Sequence, residues 1–218
     1  MVRVRKFGGN ALTDIAAVQK RPGMYVGPTD DGTGLHNLVF EVAANAIKEG
    51  LAGYCSQIKV SLEPDGSVTV TDDGRGLPVD RDTRSGLPKA QAIVTRLAGP
   101  LWDPAMLDAP ECLQGVGLYV VNALSTWFNV RIWCDGQAYS MGFADGAVIT
   151  PLTVTGGSDG RRGTEIAFLP SDRIFTTVGL GFATLDHRFR ALGSLGAELT
   201  LTLVDRRAGR KQESVFRL

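Results

Sequence analysis

VFEVAANAIKEGLAG, residues 39–53, reads as a buried helix that carries three polar residues in one line. Apolar and small residues fill most of the stretch, yet Glu41 and Asn45 stand four residues apart with Lys48 three further on. On a helix over residues 35–51, Leu35, Leu38, Val39, Phe40, Val42, Ala46 and Ile47 cover a wide arc. Asn37, Glu41, Asn45 and Lys48, at i, i+4, i+8 and i+11, share one narrow stripe. An ordinary surface helix has the reverse proportions. One reading is that the stripe lines a cavity, where a carboxylate needs a partner or a raised pKa and Glu41 is a candidate general base. The other is a partly exposed helix edge with Glu41 and Lys48 solvated.

Outward from that helix, QIKVSLEPDGSVTVTDDG reads as a hairpin around the turn PDG. Ile58, Val60 and Leu62 lie on one side of its first strand, with Val68 and Val70 in the second. Its end, DDGRGLP, places Asp72, Asp73, Gly74 and Gly76 at a strand terminus. A plain turn explains this pattern. So does a ligand site: glycines let the backbone approach closely, and an ionised Asp72 accepts hydrogen bonds, for example from an exocyclic amine. A second glycine loop, LQGVG, opens the helix GVGLYVVNALS. Backbone N–H groups freed by Gly115 and Gly117 make an anion site at a helix start; ordinary helix-start glycine is the plain alternative. No GxxxxGK[ST] or strand-linked GxGxxG occurs, which excludes the P-loop and dinucleotide fingerprints.

Elsewhere, residues 1–13 read as an arm. Asp14 caps a short helix, DIAAVQKR, ended by Pro22, and residues 21–34 read as loop or strand edge. KAQAIVTRLAG is a helix, and residues 100–114 form a long, Pro-rich loop. TWFNVRIWC, QAYSMGFA and TEIAFLP are strands, FATLDHRFRALGSL is a helix, and AELTLTLVDRR and ESVFRL are two closing strands. This order predicts an α+β two-layer sandwich, a mixed and mostly antiparallel sheet covered by helices on one face, over a doubly wound parallel sheet.

The 218 residues suffice for one large domain, and 44% of them are apolar. Lys plus Arg balances Asp plus Glu at 23 each, which gives no bulk charge for gripping nucleic acid. No run reaches membrane-spanning length, and the first residues lack the apolar core of a signal peptide. Three cysteines without metal-type spacing suit a reducing cytoplasm, and two histidines leave little scope for a His-based centre.

Taken in order, RPGMYVGPTDDGTGLHNLVFEV, NAI with EGLAG, IKVSLEPDGSVTVTDDGRGLPV, GVGLYVVNALS and RGTEIAFLPS resemble the ATP-binding domain of the type II topoisomerase B subunits. These are gyrase B and its topoisomerase IV counterpart, within the gyrase, heat-shock chaperone, histidine kinase and MutL superfamily. The resemblance runs from about Val18 to the C-terminus. It implies the Bergerat ATP-binding fold, one ATP-binding domain over residues 14–218 and a lid at about 98–117. Its cofactors would be ATP and Mg²⁺. Glu41 matches the general base for the attacking water, and Asn45 the Mg²⁺ ligand. Asp72 matches the acceptor of the adenine amine, with Thr164 backing it through a water. Gly74, Arg75, Gly76 and Pro78 match the loop along adenine and ribose, with Arg75 paired to Glu49. Gly115, Val116 and Gly117 match the part of the lid that wraps the phosphates. The implied partners are ATP or an adenine-mimicking inhibitor, with a homodimer or another gyrase chain allowed, DNA only indirectly, and no membrane.

Departures from the family pattern are concentrated in two places. EVAANAIKEG stands where the family reads EVVDNAIDEA, so Ala44 and Lys48 replace acids. Lys48 then either pairs with Asp72 or Asp73 at the pocket floor or lies on the surface. In the lid, Leu101 or a neighbour takes the place of a lysine, Glu111 and Cys112 that of a glycine pair, and Gln114 that of a histidine. The family's transducer domain, which supplies a further lysine, is not within these residues. Two functional readings result. The first is a gyrase B type ATP-binding domain, hydrolysing ATP for strand passage in the full-length protein. The second is a stand-alone, degenerate paralogue that binds nucleotide, inhibitor or partner with little turnover. Weak hydrolysis by this chain alone is expected on either. A kinase-type domain is disfavoured because no phospho-acceptor histidine region is present.

Overall fold

The computed structural model describes residues 11–83, 85–96, 113, 115–177, 179–193, 195–196, 198–207 and 212–218. Six helices and eight strands are present among them. The strands form one sheet in the order β5-β4-β3-β6-β2-β1-β7-β8. Its members are β1 (Gln57–Leu62), β2 (Val68–Asp72), β3 (Ser125–Cys134), β4 (Gln137–Ala144), β5 (Ala147–Gly157), β6 (Gly163–Pro170), β7 (Thr200–Asp205) and β8 (Gln212–Arg217). Only β1 and β7 pair in parallel; the other neighbours are antiparallel. The α+β class and the mixed, mostly antiparallel sheet are as the sequence predicts.

Period-two burial explains the single covered face. Val60 of β1, Val70 of β2, Ile166 and Phe168 of β6, Phe128, Val130 and Ile132 of β3 and Leu201 and Leu203 of β7 are all buried. Lys59, Asn129 and Arg131, between them in sequence, are exposed. Side chains that alternate across a pleated strand give one apolar face to cover. Helix α3 (Thr33–Leu51) lies against β1 and β2, α5 (Leu118–Ala123) against β3, and α6 (Phe182–Arg190) against α3 and β8. The ring of Phe189 on α6 stacks on Phe40 of α3, centroids 6.0 Å apart.

Along α3 the residues from Leu38 to Ile47 are buried apart from Glu41 and Asn45, while Lys48 and Glu49 are half-buried. Asn37, one turn before Glu41, is half-buried too. The stripe is therefore neither core nor open surface, which suits a partly exposed helix edge as well as a cavity wall. The helix can lie flush on the sheet because Gly50 leaves room: a Cβ there would fall 2.6 Å from Leu199 Cδ2.

Four local expectations change. Helix α1 (Ala11–Lys20) begins before Asp14, so Asp14 is inside the helix rather than its cap. Residues 21–34 contain a one-turn helix, α2 (Gly23–Val26), where loop or strand edge is the sequence reading; Pro22 and Gly27 bound it, and proline suits a helix start. Strand β5 has no counterpart in the sequence reading. It is an edge strand, mostly exposed on both faces, so no alternation marks it, and Pro151 falls where its register with β4 shifts. Helix α4 (Lys89–Thr95) ends before Arg96. Most of the expected lid, including Leu101, Glu111, Cys112 and Gln114, lies outside the described residues, as does most of the expected arm.

Candidate functional site

Three neighbouring strands build the floor beneath α3. Asp72 ends β2 in phase with buried Val68 and Val70, so the strand period turns its carboxylate onto the covered face. Thr164 enters β6 on the same face, and β3 places Ile132 opposite Thr164. Gly74 N–H and Thr164 N–H donate to Asp72 Oδ1 at 2.9 and 3.2 Å. Among the described residues no donor reaches Oδ2, which leaves one oxygen able to accept from a ligand. Burial pushes the Asp72 carboxyl up to about 6, against the pull of the two amide bonds, with the nearby Glu49 and Asp73 charges adding to the rise.

Close packing of the turn after β2 accounts for its glycines. A Cβ on Gly74 would lie 2.9 Å from Asp72 Oδ1. Gly76 has φ +82°, and a Cβ there would lie 3.0 Å from Ile132 Cγ2 and 3.1 Å from the Trp133 carbonyl oxygen. The Thr164 hydroxyl accepts from Leu77 N–H at 3.2 Å and so pins the turn to β6. Thr164 is thus joined to Asp72 directly through its backbone amide. Pro78 is exposed, and its carbonyl accepts from Ala90 N–H at 2.7 Å, which ties the turn to α4.

Arg75 closes one side. Its Nη2 donates to Glu49 Oε1 at 2.7 Å and its Nε to Glu49 Oε2 at 3.0 Å, a two-pronged pair. The guanidinium lies 3.7 Å from the centroid of the Tyr54 ring, so one side chain links α3, the loop after it and the turn. The pairing of Arg75 with Glu49 is as the resemblance implies.

At the other end of the stripe the second glycine loop lies on Glu41. Gly117 N–H donates to Glu41 Oε2 at 3.0 Å. A Cβ on Gly115 would fall 2.0 Å from Glu41 Oε1. Val116, between them, is half-buried, and α5 starts directly after Gly117. Glu41, the Gly117 amide and Gly115 are therefore in one place, although more than seventy residues separate them in the chain. The Asn45 side chain is half-buried, with no hydrogen-bond partner among the described residues. No cluster of three or more His, Cys, Asp or Glu that could hold a metal occurs among those residues. Mg²⁺ takes few protein ligands and keeps waters, so a single free side-chain amide oxygen such as that of Asn45 is a donor type it accepts.

Lys48 is half-buried and makes no ion pair among the described residues. Neither expected partner takes it. Asp72 takes its two amides on Oδ1 and makes no ion pair among the described residues, and Asp73 accepts from Ser56 N–H at 2.7 Å, Ser56 Oγ at 2.6 Å and Gln57 N–H at 2.9 Å. Burial raises the Asp73 carboxyl, but these bonds outweigh it and hold the group at about 2. Burial holds Lys48 below the usual lysine range, with the Glu41 charge pulling the other way.

Other residues of the site carry little sequence signal. Arg188 of α6 donates to Asn37 Oδ1 and lies 3.8 Å from the centroid of the Phe40 ring. Asn37 in turn donates to the Val26 carbonyl at 2.8 Å. Gly163 makes a contact as close as that of Gly115, here against backbone: a Cβ there would lie 2.0 Å from the Asp72 carbonyl oxygen. Its place in RGTEI is the only hint of this in the sequence.

A family model described as histidine kinase-, DNA gyrase B- and HSP90-like ATPase matches residues 30–173, which hold Glu41, Asn45, Asp72, both glycine loops and Thr164. The chain belongs to that family. The domain is 43% identical to the DNA gyrase B protein of Rickettsia conorii over 94% of this chain and 26% of the relative. With the DNA gyrase B protein of Caulobacter vibrioides the identity is 44%, over 90% of this chain and 26% of the relative. It superposes with a TM-score of 0.81 on the 43K ATPase domain of Thermus thermophilus gyrase B in complex with an aminocoumarin, at 37% identity over 94% of this chain and 52% of that one. The chain spans about a quarter of the length of these curated relatives (26% for both). It is an ATP-binding domain of the gyrase B type, and similarity over nearly its whole length does not favour a degenerate paralogue. Among the described residues no helix is long and apolar enough to cross a membrane.

Proposed function

We propose that this chain binds Mg-ATP as the nucleotide-binding part of a gyrase B type topoisomerase protein, and that hydrolysis in the full-length protein drives DNA strand passage. The unit would cover residues 14–218, with an arm at 1–13 and a lid at about 98–117. The observation that carries the reading is the buried Asp72 carboxylate, whose Oδ1 takes two backbone amides while Oδ2 stays uncommitted among the described residues. That is an acceptor suited to an exocyclic amine, and adenine has one at N6. Thr164 fixes Asp72 and the following turn, backing the amine contact through a water. Gly74, Gly76 and Pro78 shape the turn along the base and ribose. Arg75, held by Glu49, forms the rim.

At the far end, Glu41 would orient and polarise the attacking water. The Gly115–Val116–Gly117 segment would offer backbone N–H groups to the phosphates. Because the Gly117 amide bonds Glu41, an incoming phosphate competes for that amide and releases the carboxylate for water. Asn45 would hold Mg²⁺, which when bound offsets the charge on the phosphate oxygens. The role is cytoplasmic, with a second copy or another gyrase chain as partner and DNA engaged only indirectly.

Competition between ATP and an aminocoumarin tests the reading, because both are expected to need the Asp72 pocket. Mutual displacement by the wild-type chain is the expected result. Simultaneous, independent binding would overturn it.

A further inference from the structure

Four acids and three cations face the site or flank it, and all but one cation have a fixed partner. Arg75 is paired with Glu49 and Arg188 with Asn37, while Asp73 is used by Ser56 and Gln57. Lys48 remains: half-buried on the wall between the two ends of the pocket, with no carboxylate within ion-pair distance among the described residues. Side chains on a helix lean toward its N-terminus, so Lys48 leans back over the turn that carries Asn45 and toward Glu41. Burial disfavours the charged form of Lys48, and the Glu41 charge favours it. A partly desolvated ammonium beside the uncommitted Asn45 amide has the chemistry of an anion contact.

We propose that Lys48 contacts the phosphate chain of the bound nucleotide, so that this protein holds ADP and ATP without a divalent cation. The proposal rests on the adenine-site reading above and deepens it. In the family pattern an acid stands at this position, and a fixed positive charge here takes over part of the charge offset that Mg²⁺ otherwise supplies. Lys48 is then a specificity-determining residue that separates phosphorylated ligands from bare adenosine.

The test is calorimetric titration of the full chain with adenosine and with ADP, each in EDTA and in Mg²⁺, for wild type, Lys48→Met, Lys48→Arg and Asp72→Asn. Methionine keeps the apolar stem and removes the charge. In EDTA, Lys48→Met is expected to lose on the order of tenfold in ADP affinity, with adenosine changed less than about twofold. Lys48→Arg is expected to retain most of the ADP affinity, and added Mg²⁺ to shrink the Lys48→Met deficit. Equal ADP affinity of wild type and Lys48→Met in EDTA, or equal losses for adenosine and ADP, would overturn the proposal. Failure of Asp72→Asn to weaken either ligand would remove the adenine-site reading instead, and the Lys48 proposal with it.

Discussion

Gly163 stands directly against Asp72: a Cβ at Gly163 would lie 2.0 Å from the Asp72 carbonyl oxygen and 3.0 Å from Asp73 Cα. The entry to β6 and the end of β2 are thus in backbone contact, and Gly163 has φ +113° besides. Gly163→Ala has to move one strand end away from the other. The expected cost is roughly 3 kcal/mol of stability, from added strain and overpacking. Urea denaturation reads it, and a variant as stable as wild type would show that the two strand ends yield easily.

Asp72 gives a pH signature with an unusual sign. Its folded pKa, raised by burial, is about 6 against an ordinary 3.8. The folded chain therefore binds more protons between those values than the unfolded chain does. The group's contribution to stability is most favourable below about pH 4, falls as pH rises through 6, and levels off at a cost of roughly 3 kcal/mol. Asp72→Asn keeps an acceptor for the Gly74 and Thr164 amides and removes the buried charge. Thermal melts across pH should find the variant more stable than wild type near neutrality, with the gap closing in acid. A gap that widens in acid would mean the carboxylate is held low rather than high.

Ligand binding should show the same proton from the other side. An adenine amine needs the ionised carboxylate, so affinity is expected to fall by up to about tenfold for each pH unit below the folded pKa near 6. Competition titrations of an ATP analogue from neutral to mildly acidic pH measure this. A flat profile would place the amine elsewhere.

Much of this site is legible in the sequence because two periods carry it. The helical period puts Asn37, Glu41, Asn45 and Lys48 on one stripe, and the strand period turns Asp72 inward with Val68 and Val70. Glycines mark the two loops for a physical reason, since Gly74, Gly76 and Gly115 have no space for a Cβ. What stays hidden has no period. The edge strand β5 is exposed along most of its length, so its residues need not alternate. Arg188 reaches Asn37 from α6, a pairing set by tertiary packing. The fate of Lys48 depends on which acids are already taken, and Ser56 and Gln57 claim Asp73 without any mark in the chain.

The Glu49–Arg75 pair should matter for ligand more than for folding. Arg75 is 46% exposed, and an exposed pair adds under about 1 kcal/mol to stability. Glu49→Gln frees Arg75 from its two-pronged hold, and the expected outcome is a small change in melting temperature with a several-fold loss of nucleotide affinity. A large stability loss with unchanged affinity would make the pair a structural brace.

Gly115→Ala separates turnover from base recognition. The added methyl would meet Glu41 Oε1 at 2.0 Å, and that carboxylate, at the end of a flexible side chain, has to swing aside. Phosphate release is expected to drop by at least about tenfold while aminocoumarin binding changes little. Equal losses in both would count against a role for Gly115 and Glu41 confined to turnover.

Calorimetric titration of a non-hydrolysable ATP analogue into wild type and Asp72→Asn at neutral pH tests the central claim most directly. Saturable one-to-one binding by wild type is predicted, with a loss on the order of tenfold or more in the variant, from removal of a charge-assisted contact. Equal affinities, or no heat of binding by the wild-type chain, would contradict it.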